Sequence, residues 1–163
     1  MRLALISDQH GNDVAFRAAL EDVERLGVEE IVCLGASLLL FHGSPRSYDD
    51  VLLPELAGEA LEPFLGHDAA LLAGGHTHLQ WTRRIGDALY VNPGSVGISY
   101  DRHEDPPTLR ALAEWALVTV VDGTVAVEFR QVRMRSRRQE LRRSRAAARR
   151  QTSGPHSGHE SLH

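Results

Sequence analysis

The 163-residue sequence predicts an α/β domain. Three observations lead there. Apolar runs at 3–6, 30–34 and 69–73 each stop at a Ser or Gly. A stretch with helical spacing joins the first two runs, and two glycine–aspartate dipeptides split strand-like runs in the second half of the chain.

The first run ends in Ser7-Asp8-Gln9-His10-Gly11-Asn12. Residues 13–26 then carry Phe16, Ala19, Leu20, Val23 and Leu26 at helical spacing, with Asn12 or Asp13 as cap and Gly27 as stop. With the run at 30–34 this makes a βαβ unit with parallel strands. Asp8 and His10 fall at the carboxyl end of the first strand, where open α/β sheets place ligands. Next, 30–34 and 38–41 stand almost side by side. Adjacent parallel strands need a crossover of about a dozen residues, so one long strand or an antiparallel pair is expected instead.

Residues 50–65 read as a helix broken near its start by Pro54. The run at 69–73 leads into Gly74-Gly75-His76-Thr77-His78, where the glycines are expected to let the backbone bend and both rings to face one pocket. Gly86-Asp87 and Asp122-Gly123 are two-residue hairpin signals, the second of type I′. Residues 92–97 form a tight glycine-rich loop, and 99–113, polar and proline-containing, read as loop.

Charge divides the chain. Residues 1–129 hold 8 Arg against 20 acidic residues, a balance of −12, and 130–163 hold 10 Arg against 2 Glu, a balance of +8, giving −4 overall. A domain over 1–132 and an arginine-rich tail over 133–163 are expected, the tail partly helical and then disordered. Such a tail can meet nucleic acid, but it lacks interleaved aromatics, and a solvated or self-docking tail is the better reading. Lone Cys33 excludes a disulfide framework. The opening apolar run is too short for a signal peptide or membrane span, so a cytoplasmic protein without a membrane partner is expected. Oligomeric state is left open.

Asp8, His10, His42, His76 and His78 each follow an apolar run, and the expectation is that they converge on one sheet edge. Mixed carboxylate and imidazole donors suit manganese, iron, nickel or zinc rather than calcium. Such metals polarise phosphoryl oxygens and activate water. Arg46 is a candidate phosphate contact, with a surface ion pair as the plainer alternative. Asn92 and Ser95 read as loop-fixing residues near the site, and His67 and His103 as ordinary surface histidines.

Over residues 1–132 these motifs, with 31–35, His42-Gly43-Ser44-Pro45-Arg46 and Asn92-Pro93-Gly94-Ser95-Val96-Gly97, resemble the calcineurin-like metallophosphoesterase family, in its small bacterial and archaeal phosphodiesterase branch. The resemblance implies an αββα sandwich and metal-dependent hydrolysis of phosphodiesters or phosphomonoesters, with a phosphoester as substrate. It implies Asp8, His10 and His78 on a first divalent metal, manganese foremost, and His42 and His76 on a second. The family has an aspartate bridging the two metals where this chain has Ala36, and a Gly-Asn-His segment that is missing before His42. An internal deletion is implied, with one metal rather than two and weak activity. The alternative is a catalytically inactive relic serving as a metal-binding or interaction module.

Overall fold

The computed structural model describes residues 1–31, 38–55, 57, 64, 67, 69–101 and 106–134. Ala36, Cys33, His103 and the tail beyond Met134 lie outside the described residues. In chain order the elements are β1 (Arg2–Leu5), α1 (Asp13–Arg25), β2 (Glu30–Ile31), β3 (Leu38–Leu40), β4 (Leu71–Ala73), β5 (Gln80–Ile85), β6 (Ala88–Pro93), β7 (Ser99–Asp101), β8 (Thr108–Arg110), β9 (Leu112–Val121) and β10 (Thr124–Arg133).

Two four-stranded sheets carry the fold, in the orders β10-β9-β1-β2 and β3-β4-β6-β5. Alternation of side chains sorts the core into layers. Leu3 and Leu5 of β1 meet Leu71 and Ala73 of β4, Val91 of β6, and Ala116 and Val118 of β9, so this cluster joins the two sheets. Each such leucine contributes about 1.5–3 kcal/mol by leaving water. Ala4, between Leu3 and Leu5, turns the other way onto Ala15, Ala19 and Val23 of α1. Leu72, between Leu71 and Ala73, packs outward with Leu52, Phe64 and Tyr90.

The βαβ unit is present, with β1 and β2 parallel. Asn12 caps α1 by accepting from the Ala15 N–H at 3.1 Å. Gly27 ends the helix with φ +59°, where a Cβ would be strained. Both hairpins form as well. Asp122 and Gly123 have φ of 48° and 76°, the double positive that type I′ needs.

Three expectations give way. The runs at 30–34 and 38–41 are neither one strand nor an antiparallel pair, because β2 lies in the first sheet and β3 pairs with β4 in the second. A chain that changes sheet needs no crossover helix, so the short connection suffices. Residues 99–113 are not all loop: β7 and β8 pair, and β9 starts at Leu112. Of the expected helix at 50–65, residues 50–55 are non-helical, with Pro54 in a turn, and most of the rest lies outside the described residues. Among the described residues no helix is long and apolar enough to cross a membrane.

Candidate metal centre

Asp8 is the hub. Its side chain is 1% exposed, and Oδ1 lies 3.9 Å from Nε2 of His10, 3.7 Å from Nδ1 of His42 and 3.6 Å from Nε2 of His78. Its other oxygen, Oδ2, accepts from the Ser7 hydroxyl and, at 3.1 Å, from the backbone N–H of His76. Burial alone would raise the Asp8 pKa. Contacts with His78, the Ser7 hydroxyl and the His76 N–H outweigh it and hold the carboxyl at about 2. Asp8 is therefore anionic at neutral pH.

The imidazoles fall into two pairs. Nε2 of His10 stands 3.0 Å from Nε2 of His78, and Nε2 of His42 stands 3.0 Å from Nδ1 of His76. Asp8, His10 and His78 offer three donor atoms all within 4.8 Å of one another. His76 and His78 thus turn to different partners, and both pairs stand about the Asp8 carboxylate. The expected single sheet edge is corrected, since Asp8 and His10 follow β1 of one sheet while His42, His76 and His78 follow β3 and β4 of the other. The donors straddle the end of the sandwich.

Backbone conformation explains the divergence. Asp8, His10, His76 and His78 have φ of 52°, 48°, 68° and 54°, and the only other non-glycine residue with positive φ among those described is Asp122. Asp and His tolerate this region better than most side chains. Gly74 and Gly75 do not supply the bend. They supply room: a Cβ on Gly75 would sit 2.1 Å from Ser7 Oγ and 2.5 Å from Asp8 Oδ2, and one on Gly74 would sit 2.6 Å from the Phe41 ring.

A buried scaffold fixes these turns. Asn92 donates to the Gly75 carbonyl at 2.8 Å and the Thr77 hydroxyl at 3.0 Å, and accepts from the Gly94 N–H. Ser95 donates to the Asp8 carbonyl, which also accepts from the Gly97 N–H, and Val96 N–H donates to the Ser7 carbonyl. Asn92 of β6 and the loop after it therefore clamp both strand ends. Arg46 forms an ion pair with Asp50 at 3.6 Å and its side chain is 70% exposed. His67 is exposed.

Some residues escaped the sequence reading. Tyr48 stacks on His42, with ring centroids 4.3 Å apart and an interplanar angle of 25°, and Tyr100 lies over His78 at 6.2 Å. Nothing in their spacing marks them. Ser7 was visible inside its motif, yet its bond to Asp8 is a matter of geometry.

The donor set fits a divalent transition metal. Two nitrogens each about 2.1 Å from one cation stand roughly 3.0 Å apart at a right angle, and His10 and His78 are at 3.0 Å already. The anionic oxygen between the pairs supplies the charge that two neutral imidazoles lack.

No protein-family model and no curated protein matches the sequence. Solved structures do match. A single-substitution variant of Vps29 from Entamoeba histolytica is 19% identical, over 80% of this chain and 99% of that one, with a TM-score of 0.43. A predicted phosphoesterase from Streptococcus pneumoniae is 18% identical, over 78% of this chain and 87% of that one, with a TM-score of 0.47. A novel archaeal phosphodiesterase is 15% identical, over 80% of this chain and 100% of that one, also at 0.47.

Proposed function

We propose that this chain is a metal-dependent phosphoesterase acting on phosphodiesters or phosphomonoesters, slow because its donor set is short. The reading rests on one observation: a single buried carboxylate oxygen faces ring nitrogens of His10, His42 and His78 within 4 Å. A divalent transition metal held there, manganese foremost, would polarise a phosphoryl oxygen and acidify water.

The chain's own residues do the rest. Ser7 and the His76 N–H hold Oδ2 of Asp8, which keeps Oδ1 turned to the imidazoles. His10 and His78 bring two nitrogens together from two sheets. The His42 ring stands between Asp8 and His76. Nε2 of His42 and Nδ1 of His76 stand within hydrogen-bond distance at 3.0 Å, and Nδ1 of His42 lies 3.7 Å from Asp8. The cytoplasmic location expected from the sequence belongs to the same proposal.

The test pairs metal analysis of the purified protein with hydrolysis of bis(4-nitrophenyl) phosphate, with and without Mn²⁺. The expected result is about one metal per chain and slow hydrolysis that needs Mn²⁺ and disappears in Asp8→Asn. Hydrolysis that survives Asp8→Asn overturns the assignment. Metal binding with no hydrolysis of any phosphoester leaves the inactive metal-binding module as the function.

A further inference from the structure

The metal-donor cluster does not end at its polar atoms. A cleft of about 380 Å³ opens beside it, between the ends of the two sheets, and continues past Asp8 and His42. Among the described residues its apolar lining comes from Leu5 and Ile6 on the first sheet's side, Leu40, Phe41 and Ala73 on the second, and Pro93 at the end of β6, while Gly74 and Gly75 add backbone. Among the described residues its polar side chains are Ser7, Asp8 and His42, and all three are already engaged with one another or with the other histidines. The volume is within the range that takes small organic ligands.

We propose that this cleft is the organic-group subsite of the phosphoester site: it takes an apolar ester substituent of about benzene-ring size, while the phosphoryl group faces Asp8 and His42. The inference rests on the phosphoesterase reading and names the substrate class it leaves open. Charge and chemistry select the occupant. A sugar or nucleoside substituent would bury hydroxyls against Leu5, Ile6, Leu40, Phe41, Ala73 and Pro93, none of whose side chains can pair with them, and unpaired buried hydroxyls are costly. An aryl or compact alkyl group loses nothing by the transfer and gains the contact. Leu40 is the gate of this wall, since it is 37% exposed at the end of β3 and also lines the cleft.

The experiment measures equilibrium binding to Mn²⁺-loaded protein by calorimetry, with phenylphosphonate, methylphosphonate and ribose 5-phosphate as probes. None depends on turnover. Phenylphosphonate is expected to bind at least about ten-fold more tightly than either of the others, as burial of a ring predicts. Leu40→Trp, which fills the cleft from its exposed edge, should bring phenylphosphonate down to the level of methylphosphonate and leave methylphosphonate unchanged. Leu40→Gln, which keeps the space but not the surface, should give an intermediate loss. Equal affinities for the three probes in the wild type, or a phenyl preference untouched by Leu40→Trp, overturns the proposal. If Mn²⁺ binds and none of the probes does, the phosphoesterase reading fails, and fluorobenzene then tests the cleft by itself through ¹⁹F line broadening. Broadening by the wild type that is lost in Leu40→Trp keeps the apolar subsite, and no broadening removes it.

Discussion

The backbone N–H of His76 donates to Oδ2 of Asp8 at 3.1 Å, joining residues 68 positions apart. Asp8 follows β1 of one sheet and His76 follows β4 of the other, so this bond ties the two sheets at the site itself. It also decides which carboxylate oxygen remains for the imidazoles. The donor cluster is therefore sensitive to anything that moves the chain at 74–78.

Metal affinity should depend on the three-donor set. His78→Ala removes a nitrogen that lies 3.0 Å from His10 and 3.6 Å from Asp8. Loss of a mere outer partner of a ligand weakens metal binding about 10–100-fold, and loss of His78 should do at least as much. His67→Ala, on the exposed surface, should leave the affinity unchanged. Titration with Mn²⁺ and with Zn²⁺ reads both variants, and equal affinities would remove His78 from the site.

Gly75→Ala should damage the site more than its single methyl suggests. The added Cβ would meet Ser7 Oγ at 2.1 Å and Asp8 Oδ2 at 2.5 Å. Overpacking of this kind costs about 1–3 kcal/mol, and here the displaced group is the hub carboxylate. We expect a lower Tm together with a clear fall in metal affinity. Ser7→Gly in the same chain should restore part of both, since it removes the nearer obstacle. A Gly75→Ala protein with wild-type metal affinity would contradict the close approach.

Acid stability should depend on Asp22. This carboxylate on α1 is 8% exposed and pairs with Arg25 and, at 3.3 Å, with Arg130 of β10. Burial raises its pKa, but the two guanidinium groups prevail and lower it below the usual carboxylate value. A depressed folded-state pKa adds stability that is present above the unfolded value, near 3.9, and is lost as pH falls through the folded one. Asp22→Asn should therefore lower stability by about 1 kcal/mol at pH 7 and by much less at pH 3. Urea midpoints at the two pH values check the sign, and a loss that is the same at both would refute it.

The missing bridge can be restored in part. By the sequence resemblance, Ala36 takes the place of the family's metal-bridging aspartate. Ala36→Asp should raise the metal content from about one toward two per chain, because a shared carboxylate offsets repulsion between neighbouring dications. The rate should rise less than the metal content, as no residue replaces the absent Gly-Asn-His segment. Metal per chain and initial rate, measured side by side, decide the matter. A wild type that already holds two metals would show that another carboxylate does the bridging.

Much of this architecture could be read from local chemistry. The β1-α1-β2 unit announced itself through helical spacing between two apolar runs, and Asp122-Gly123 through the one turn type that accepts two positive φ values. Histidines directly behind strands pointed to the donors. What stayed hidden depends on the third dimension. Three consecutive leucines, Leu38, Leu39 and Leu40, are equally suited to either sheet, so the change of sheet before β3 left no mark in the sequence. The β7–β8 pair is only three residues a side, too short for alternation to register. That Gly75 serves space rather than rotation, while His76 and His78 carry the rotation, follows from how near Ser7 and Asp8 come.

The left-handed backbone at Asp8, His10, His76 and His78 also makes the melting temperature a reporter of occupancy. A side chain in that conformation costs about 1 kcal/mol or more, and glycine avoids most of it. In metal-free protein, His78→Gly should therefore melt higher than the wild type. Added metal stabilises only a fold that binds it, by RT ln(1 + [L]/Kd), so the wild type should climb past the variant as Mn²⁺ is raised. The order of the two melting curves would then reverse at a metal concentration set by the site's own affinity. The melting curve of such a protein acts as a thermal titration of the site.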